Sequence, residues 1–144
     1  MTFLKSALTA AAVAFALPAA AADTIVVSDA YARFMPGAMA GAAFMVIENQ
    51  GDSDDRLIGV ASGIAAKTEL HTHTIGADGA MQMHPIEGGI ALPAGASHAL
   101  ERGGDHLMFM GLESRPAEGE TVAVTLTFEK AGEVAVEIPV DSAR

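Results

Sequence analysis

Between Thr121 and Phe128 every second side chain is large and apolar. Val122, Val124, Leu126 and Phe128 fall on one side, and Ala123, Thr125 and Thr127 on the other. Glu133 to Val140 repeats the pattern with Val134, Val136, Ile138 and Val140. A period of two is the signature of a strand with one face on a core. Lys130-Ala131-Gly132 between the two runs is a hairpin-sized connection. The same reading predicts further strands over Thr24–Phe34, Ala42–Glu48, Arg56–Ala61, Lys67–Thr72, Ala80–Ile86, Ser97–Glu101 and His106–Leu112. The breaks carry turn residues: Pro36-Gly37, Asn49-Gln50-Gly51-Asp52, Asp78-Gly79, Gly88-Gly89, Pro93-Ala94-Gly95 and Gly103-Gly104. No segment keeps a 3.6-residue period over three turns. Short strands at this spacing predict a single all-β domain, a sandwich or barrel.

Residues 1–22 read as a secretory signal peptide rather than as part of that domain. Lys5 is the charged start, Ala7 to Leu17 the apolar stretch, and Ala20-Ala21-Ala22 the small-residue cleavage pattern before Asp23. The apolar stretch is too short to span a bilayer, and no Cys follows it to carry a lipid. The expected mature domain is residues 23–144, in a bacterial periplasm or outside the cell, with no membrane span after cleavage. Eighteen Asp and Glu against eight Lys and Arg give a net charge of -10, which repels phosphate backbones and argues against nucleic-acid binding. The chain has no Cys. That removes disulfides, thiolate nucleophiles, iron–sulfur clusters, cysteine-ligated zinc and blue-copper electron transfer.

Against this background the histidines and methionines stand out. All five His lie between Met45 and Met110, as do five of the eight Met. On a strand, side chains two apart share a face. His71 and His73 therefore share one, as do Met81 and Met83, and as do His106, Met108 and Met110. Leu107 and Phe109 take the opposite face, as does His84. If these sides converge, they offer imidazoles and thioethers with no thiolate and no carboxylate. Thioether is soft and neutral, so it favours Cu(I) over Zn(II), Mg(II) or Ca(II), whereas imidazole accepts several metals. Met35, Met39 and Met45 fit core or loop positions, and His98 a surface strand position.

The order Glu69-Leu70-His71, Met81-Gln82-Met83, Gly88-Gly89-Ile90, Pro93-Ala94-Gly95 and His106-Leu107-Met108-Phe109-Met110-Gly111-Leu112 resembles the PCu(A)C family of periplasmic copper chaperones. Upstream, Arg33, Pro36-Gly37, Ala42-Ala43-Phe44, Asn49-Gln50-Gly51 and Asp55-Arg56-Leu57 follow in the order that family shows, so the resemblance spans roughly residues 29–140. It implies a cupredoxin-like Greek-key β-sandwich that binds Cu(I) and helps load the copper sites of cytochrome c oxidase. It also implies the ligands His71, Met83, His106 and Met108. Both inter-ligand gaps are one residue longer than the family's usual spacing. The extra residues fit in turns, at Ile75–Gly79 and Glu87–Gly89, which preserves strand parity. Met81 remains an alternative to Met83 on the same face. Where many relatives carry a Met two residues after the first His, this chain has His73, which would enrich the site in nitrogen and raise its affinity for Cu(II).

Two other readings compete. His71-Thr72-His73 with Pro93-Ala94-Gly95-Ala96-Ser97-His98 mimics a cupin-type metal enzyme, but the Glu such a centre needs is missing downstream of His73. A secreted β-sandwich binding module without metal is the other. The reading adopted is a monomeric, non-enzymatic copper carrier with no catalytic residues. Its site lies near one end of the sandwich. Its partners are the copper ion and an acceptor, such as a cytochrome c oxidase copper subunit or another copper chaperone.

Overall fold

A computed structural model describes residues 24–144; the leader expected over residues 1–22, with its cleavage point before Asp23, lies outside the described residues. The chain forms ten strands: β1 (Ile25–Phe34), β2 (Ala40–Asn49), β3 (Asp55–Ala61), β4 (Ala65–Ile75), β5 (Met81–Pro85), β6 (Ile90–Leu92), β7 (Ser97–Leu100), β8 (His106–Leu112), β9 (Thr121–Phe128) and β10 (Gly132–Pro139). No α-helix occurs among the described residues. Nine of these strands are those the alternation predicts. The tenth, β6, is three residues long and lies between Gly88-Gly89 and Pro93, too short to show a period.

The strands form two antiparallel sheets. One runs β1-β2-β8-β4-β5, with β7 also pairing β2; the other runs β10-β9-β3-β6. Strands distant in sequence become neighbours, β2 with β8 and β3 with β9, so the chain crosses between sheets as in a cupredoxin-like Greek-key sandwich. A parallel bridge between Ala32 and Val140 ties the two sheets together at one side.

The core is a single cluster between the sheets. Val122, Val124, Leu126 and Phe128 enter it from β9, and Leu70, Leu107, Phe109, Ala43, Met45 and Ile47 from the larger sheet. On β10, Ile138 is fully buried, whereas Val134 and Val136 pack only partly because β10 is an edge strand. Gly89 is dictated by packing. Its φ is +76°, and a Cβ there would run into the Leu57 carbonyl where β6 meets β3.

β1 changes parity part-way. A bulge between Ser28 and Tyr31, with Asp29 at φ 50°, shifts the register against β2. Before it Ile25 and Val27 point to the core; after it Ala32 and Phe34 do. Tyr31 is thereby turned to the outer face, opposite Phe44 with ring centroids 5.1 Å apart.

Candidate metal centre

The outer face of the larger sheet carries the candidate ligands. In an antiparallel pair, residues directly opposite share a face. Along β4 and β8, His71 pairs with His106, Glu69 with Met108 and Lys67 with Met110. Along β4 and β5, His73 pairs with Met83 and Ile75 with Met81. Because Leu70, Leu107 and Phe109 occupy the core, the intervening His and Met residues face away from it. His106 is the first residue of β8, and the β4–β5 hairpin continues past it, so the cluster sits at a corner of the sheet where β8 begins.

His106 is the hub. Its Nε2 lies 3.1 Å from the Met83 Sδ. Its ring centroid is 5.1 Å from that of His73, 6.0 Å from that of His71 and 6.2 Å from that of Phe44. Together they leave His106 only 4% exposed, although it points out of the sandwich. Burial holds the imidazole below its ordinary pKa against the opposing pull of the Gly104 carbonyl, and the neighbouring His73 and His71 add to the lowering. His106 is therefore neutral at neutral pH and can present a lone pair.

Hydrogen bonds decide which nitrogen presents it. The His106 Nδ1–H donates to the Gly104 carbonyl at 3.2 Å, since a carbonyl can only accept. The lone pair is then on Nε2, the atom facing sulfur. His71 is held the opposite way round. Its Nε2–H donates to the Glu69 carboxylate at 3.0 Å, and Glu69 also takes the Lys67 ammonium at 2.6 Å. Lys67 first, then His71, holds the Glu69 carboxyl below the usual range, which keeps it an acceptor. The His71 Nδ1 is left buried without a partner, and so is the His73 Nδ1.

Met108 stands one pair further along β8 on the same face, half-buried opposite Glu69. Met83 and Met81 separate clearly. Met83 meets His106, whereas Met81 is 65% exposed near the hairpin tip, opposite Ile75. His84 lies on the other face, opposite Thr72. His98 pairs with the core residue Ile47 across β7 and β2, and its Nε2 meets Asp105 at 2.9 Å. It does not join the other histidines, so the three-His arrangement of a cupin is not assembled. Glu69 is the residue that the ligand pattern missed. A carboxylate does stand at this site, and its place two residues before His71 on one strand was the signal for it.

Known proteins resemble this chain in sequence and in fold. The family profile described as "Putative lipoprotein LpqE-like" matches residues 25–140. "Putative lipoprotein Lxx21020" from Leifsonia xyli subsp. xyli is 34% identical over 123 residues, covering 85% of this chain and 73% of that protein. Among solved structures, the copper-bound PCuAC domain from PmoF2 superposes with a TM-score of 0.68 at 27% identity, over 83% of this chain and 93% of that one. Two solution structures of DR1885 from Deinococcus radiodurans also match at 30% identity. The apo form has a TM-score of 0.62 over 100% of this chain and 97% of that one. The Cu(I) form has a TM-score of 0.61 over 90% and 83%. The chain belongs to the LpqE-like family and has the cupredoxin-like β-sandwich of the PCuAC domains.

Proposed function

We propose that this protein is an exported copper carrier that holds one Cu(I) between His71, Met83, His106 and Met108. The observation that carries the reading is the 3.1 Å contact between the His106 Nε2 and the Met83 Sδ. With Nδ1 carrying the proton, neither of the touching atoms has a hydrogen to share. Two acceptors in contact, one of them on a buried ring, are unfavourable unless an electrophile joins them. A proton is disfavoured there because burial opposes the imidazolium. A soft cation suits both donors. With metal–nitrogen and metal–sulfur bonds of about 2.0 and 2.3 Å, a tetrahedral ion would open the pair to about 3.5 Å, a side-chain adjustment that the half-exposed Met83 can make.

Copper in solved structures of the same fold supports the metal, and Cu(I) in one of them supports the oxidation state. The neutral thioether ligands and the exposure of Met83 suit a carrier, because an acceptor's ligands can replace them one at a time without a proton or redox step at sulfur. No helix among the described residues is long and apolar enough to cross a membrane. The lipoprotein names of the relatives support export, and residues 1–22 supply a signal-peptide pattern that points to the periplasm. Delivery to a copper site such as that of cytochrome c oxidase, by a monomer steered through its net charge of -10 to a basic docking patch, completes the reading.

Anaerobic loading followed by metal analysis tests the proposal. One Cu(I) per chain is expected, with affinity falling by about tenfold or more in His106→Ala and in Met83→Ala. No stoichiometric Cu(I), or unchanged affinity in both variants, would remove the reading.

A further inference from the structure

We infer that β5 is the edge on which the copper acceptor docks, and that it takes a basic, extended segment of that partner as an added strand. This rests on the carrier reading above and says how the partner reaches the site. β5 ends the larger sheet, and among the described residues no strand pairs its outer side. All five of its residues are exposed. Folded proteins commonly blunt such an edge with charged side chains, proline or a bulge. Met81-Gln82-Met83-His84-Pro85 contains no Lys, Arg, Asp or Glu, and its one proline stands at the end. Its register against β4 runs from Ile75–Met81 to His71–Pro85 without a shift.

The hydrogen bonds at the two ends of the β4–β5 ladder show which backbone groups face the open side. The Gly76 N–H donates to the Ala80 carbonyl and the Ile86 N–H to the Leu70 carbonyl, each at 2.9 Å. Bonded and non-bonded pairs alternate along an antiparallel ladder. Counted inward from both ends, Thr74–Gln82 and Thr72–His84 are bonded pairs, and Ile75–Met81, His73–Met83 and His71–Pro85 are not. Met81 and Met83 therefore turn their N–H and C=O groups away from β4, and Pro85 turns out only a carbonyl. The side chains of Met81 and Met83 lie on the copper face. A strand that bonds to Met83 places the side chain opposite it on that same face, with Cα atoms about 5.5 Å apart. A partner Met or His at that position stands beside the Met83 thioether and can replace it on the ion. Ile75, Met81 and Met83, exposed by 75%, 65% and 46%, form the apolar strip that the added strand covers.

Charge selects the partner. From Thr68 to Leu100 the chain has no Lys or Arg, and it has Glu69, Asp78 and Glu87. Asp78 lies in the turn before β5, and Glu87 lies just past its end. Lys67 is held by Glu69, and Arg56 donates to the Gly88 carbonyl. A second copy of this edge would bring like charges together, whereas a segment carrying Lys or Arg is attracted.

The test uses isotopically labelled mature protein, loaded anaerobically with Cu(I), and end-blocked synthetic peptides. The probe is Lys-Thr-Lys-Met-Lys-Thr-Lys. One control is the same peptide N-methylated at every residue, which keeps its charge and side chains but loses every pairing N–H. The other control carries Glu in place of Lys. The probe should slow hydrogen exchange of the Met81 and Met83 amides by about fivefold or more at millimolar peptide. The Gln82 and His84 amides, already bonded to β4, should change little. Both controls should bind about tenfold more weakly or worse. Equal binding of the N-methylated peptide, or a response away from β5, would overturn the added strand. Equal binding of the Glu peptide would overturn the choice of a basic partner. Slowed exchange along β5 that grows with protein concentration, without peptide, would assign the edge to a second copy instead. Stoichiometric Cu(I) with no response to the probe would overturn this inference and leave the carrier reading standing. Failure to bind Cu(I) would overturn the carrier reading, and with it the acceptor's place on β5.

Discussion

The Glu69 carboxylate accepts the Nε2–H of His71 at 3.0 Å, and this bond fixes which face of the imidazole is free. Partners of this kind orient metal-binding histidines and typically change metal affinity by about 10- to 100-fold when removed. Glu69→Ala should therefore weaken Cu(I) binding by about tenfold and allow His71 to change tautomer. Glu69→Gln, whose amide oxygen still accepts, should fall between the two. Nitrogen chemical shifts of His71 report the tautomer, and chelator competition reports the affinity. Unchanged shifts and affinity in Glu69→Ala would show that the bond positions nothing.

Strand parity makes a sharp contrast on β8. Met108 faces outward opposite Glu69, and Phe109 is fully buried in the core. Met108→Ala should lower Cu(I) affinity by about tenfold or more with little effect on Zn(II), because only the soft ion uses the thioether. Phe109→Leu should leave copper affinity nearly unchanged and cost stability instead, on the order of 1 kcal/mol. Copper titrations and denaturant unfolding on both variants separate the two effects.

The pH dependence of the apo-protein follows from His106. Its folded pKa lies below its unfolded value of about 6.5 because the ring is buried. The unfolded chain thus takes up a proton first as pH falls. The stability contribution is complete above about pH 6.5 and is lost as pH drops through the folded value. Glu69, also lowered, acts in the same direction only in the more acid range below about 4.5. Apo wild type should melt at a lower temperature at pH 5.5 than at pH 7.5, and His106→Gln should show a smaller difference. An identical difference in the two proteins would contradict the burial argument.

Much of this was legible in the residues because alternation fixes faces. Spacing alone puts His71 with His73, Met81 with Met83, and His106 with Met108 and Met110 on one face of each strand, whereas the choice of ligands among them came from the family resemblance. The pairing between strands does not follow from the spacing within one strand, because turn geometry also sets the register. The β4–β5 turn closes through Gly76 N to Ala80 O at 2.9 Å, with Gly79 at φ +77°. That closure brings Met83, not Met81, to His106. The bulge at Asp29 was equally hidden, because one inserted residue reverses the parity of β1 without ending the strand. Glu69 shares the face of His71 because it lies two residues before it on β4.

Asn49 shows the cost of a hidden polar anchor. It is buried at the end of β2, where its Nδ2 donates to the carbonyls of Ser53 and Leu92, each at 2.9 Å, and its Oδ1 accepts from Gly51 N at 3.0 Å. Asn49→Ala would leave the buried Leu92 carbonyl without this donor and should destabilise the fold by about 2 kcal/mol. Cu(I) affinity should not change, since the site lies on the other side of the larger sheet. Denaturant unfolding and copper titration together check this.

The most direct test of the central claim is copper X-ray absorption on the Cu(I)-loaded protein. Thioether and imidazole shells should both appear, with scattering from about two sulfurs near 2.3 Å and about two nitrogens near 2.0 Å. The sulfur shell should shrink to about one in Met83→Ala. A spectrum with nitrogen and oxygen only, or a sulfur shell unaltered by Met83→Ala, would contradict the assignment of copper to the Met83–His106 contact.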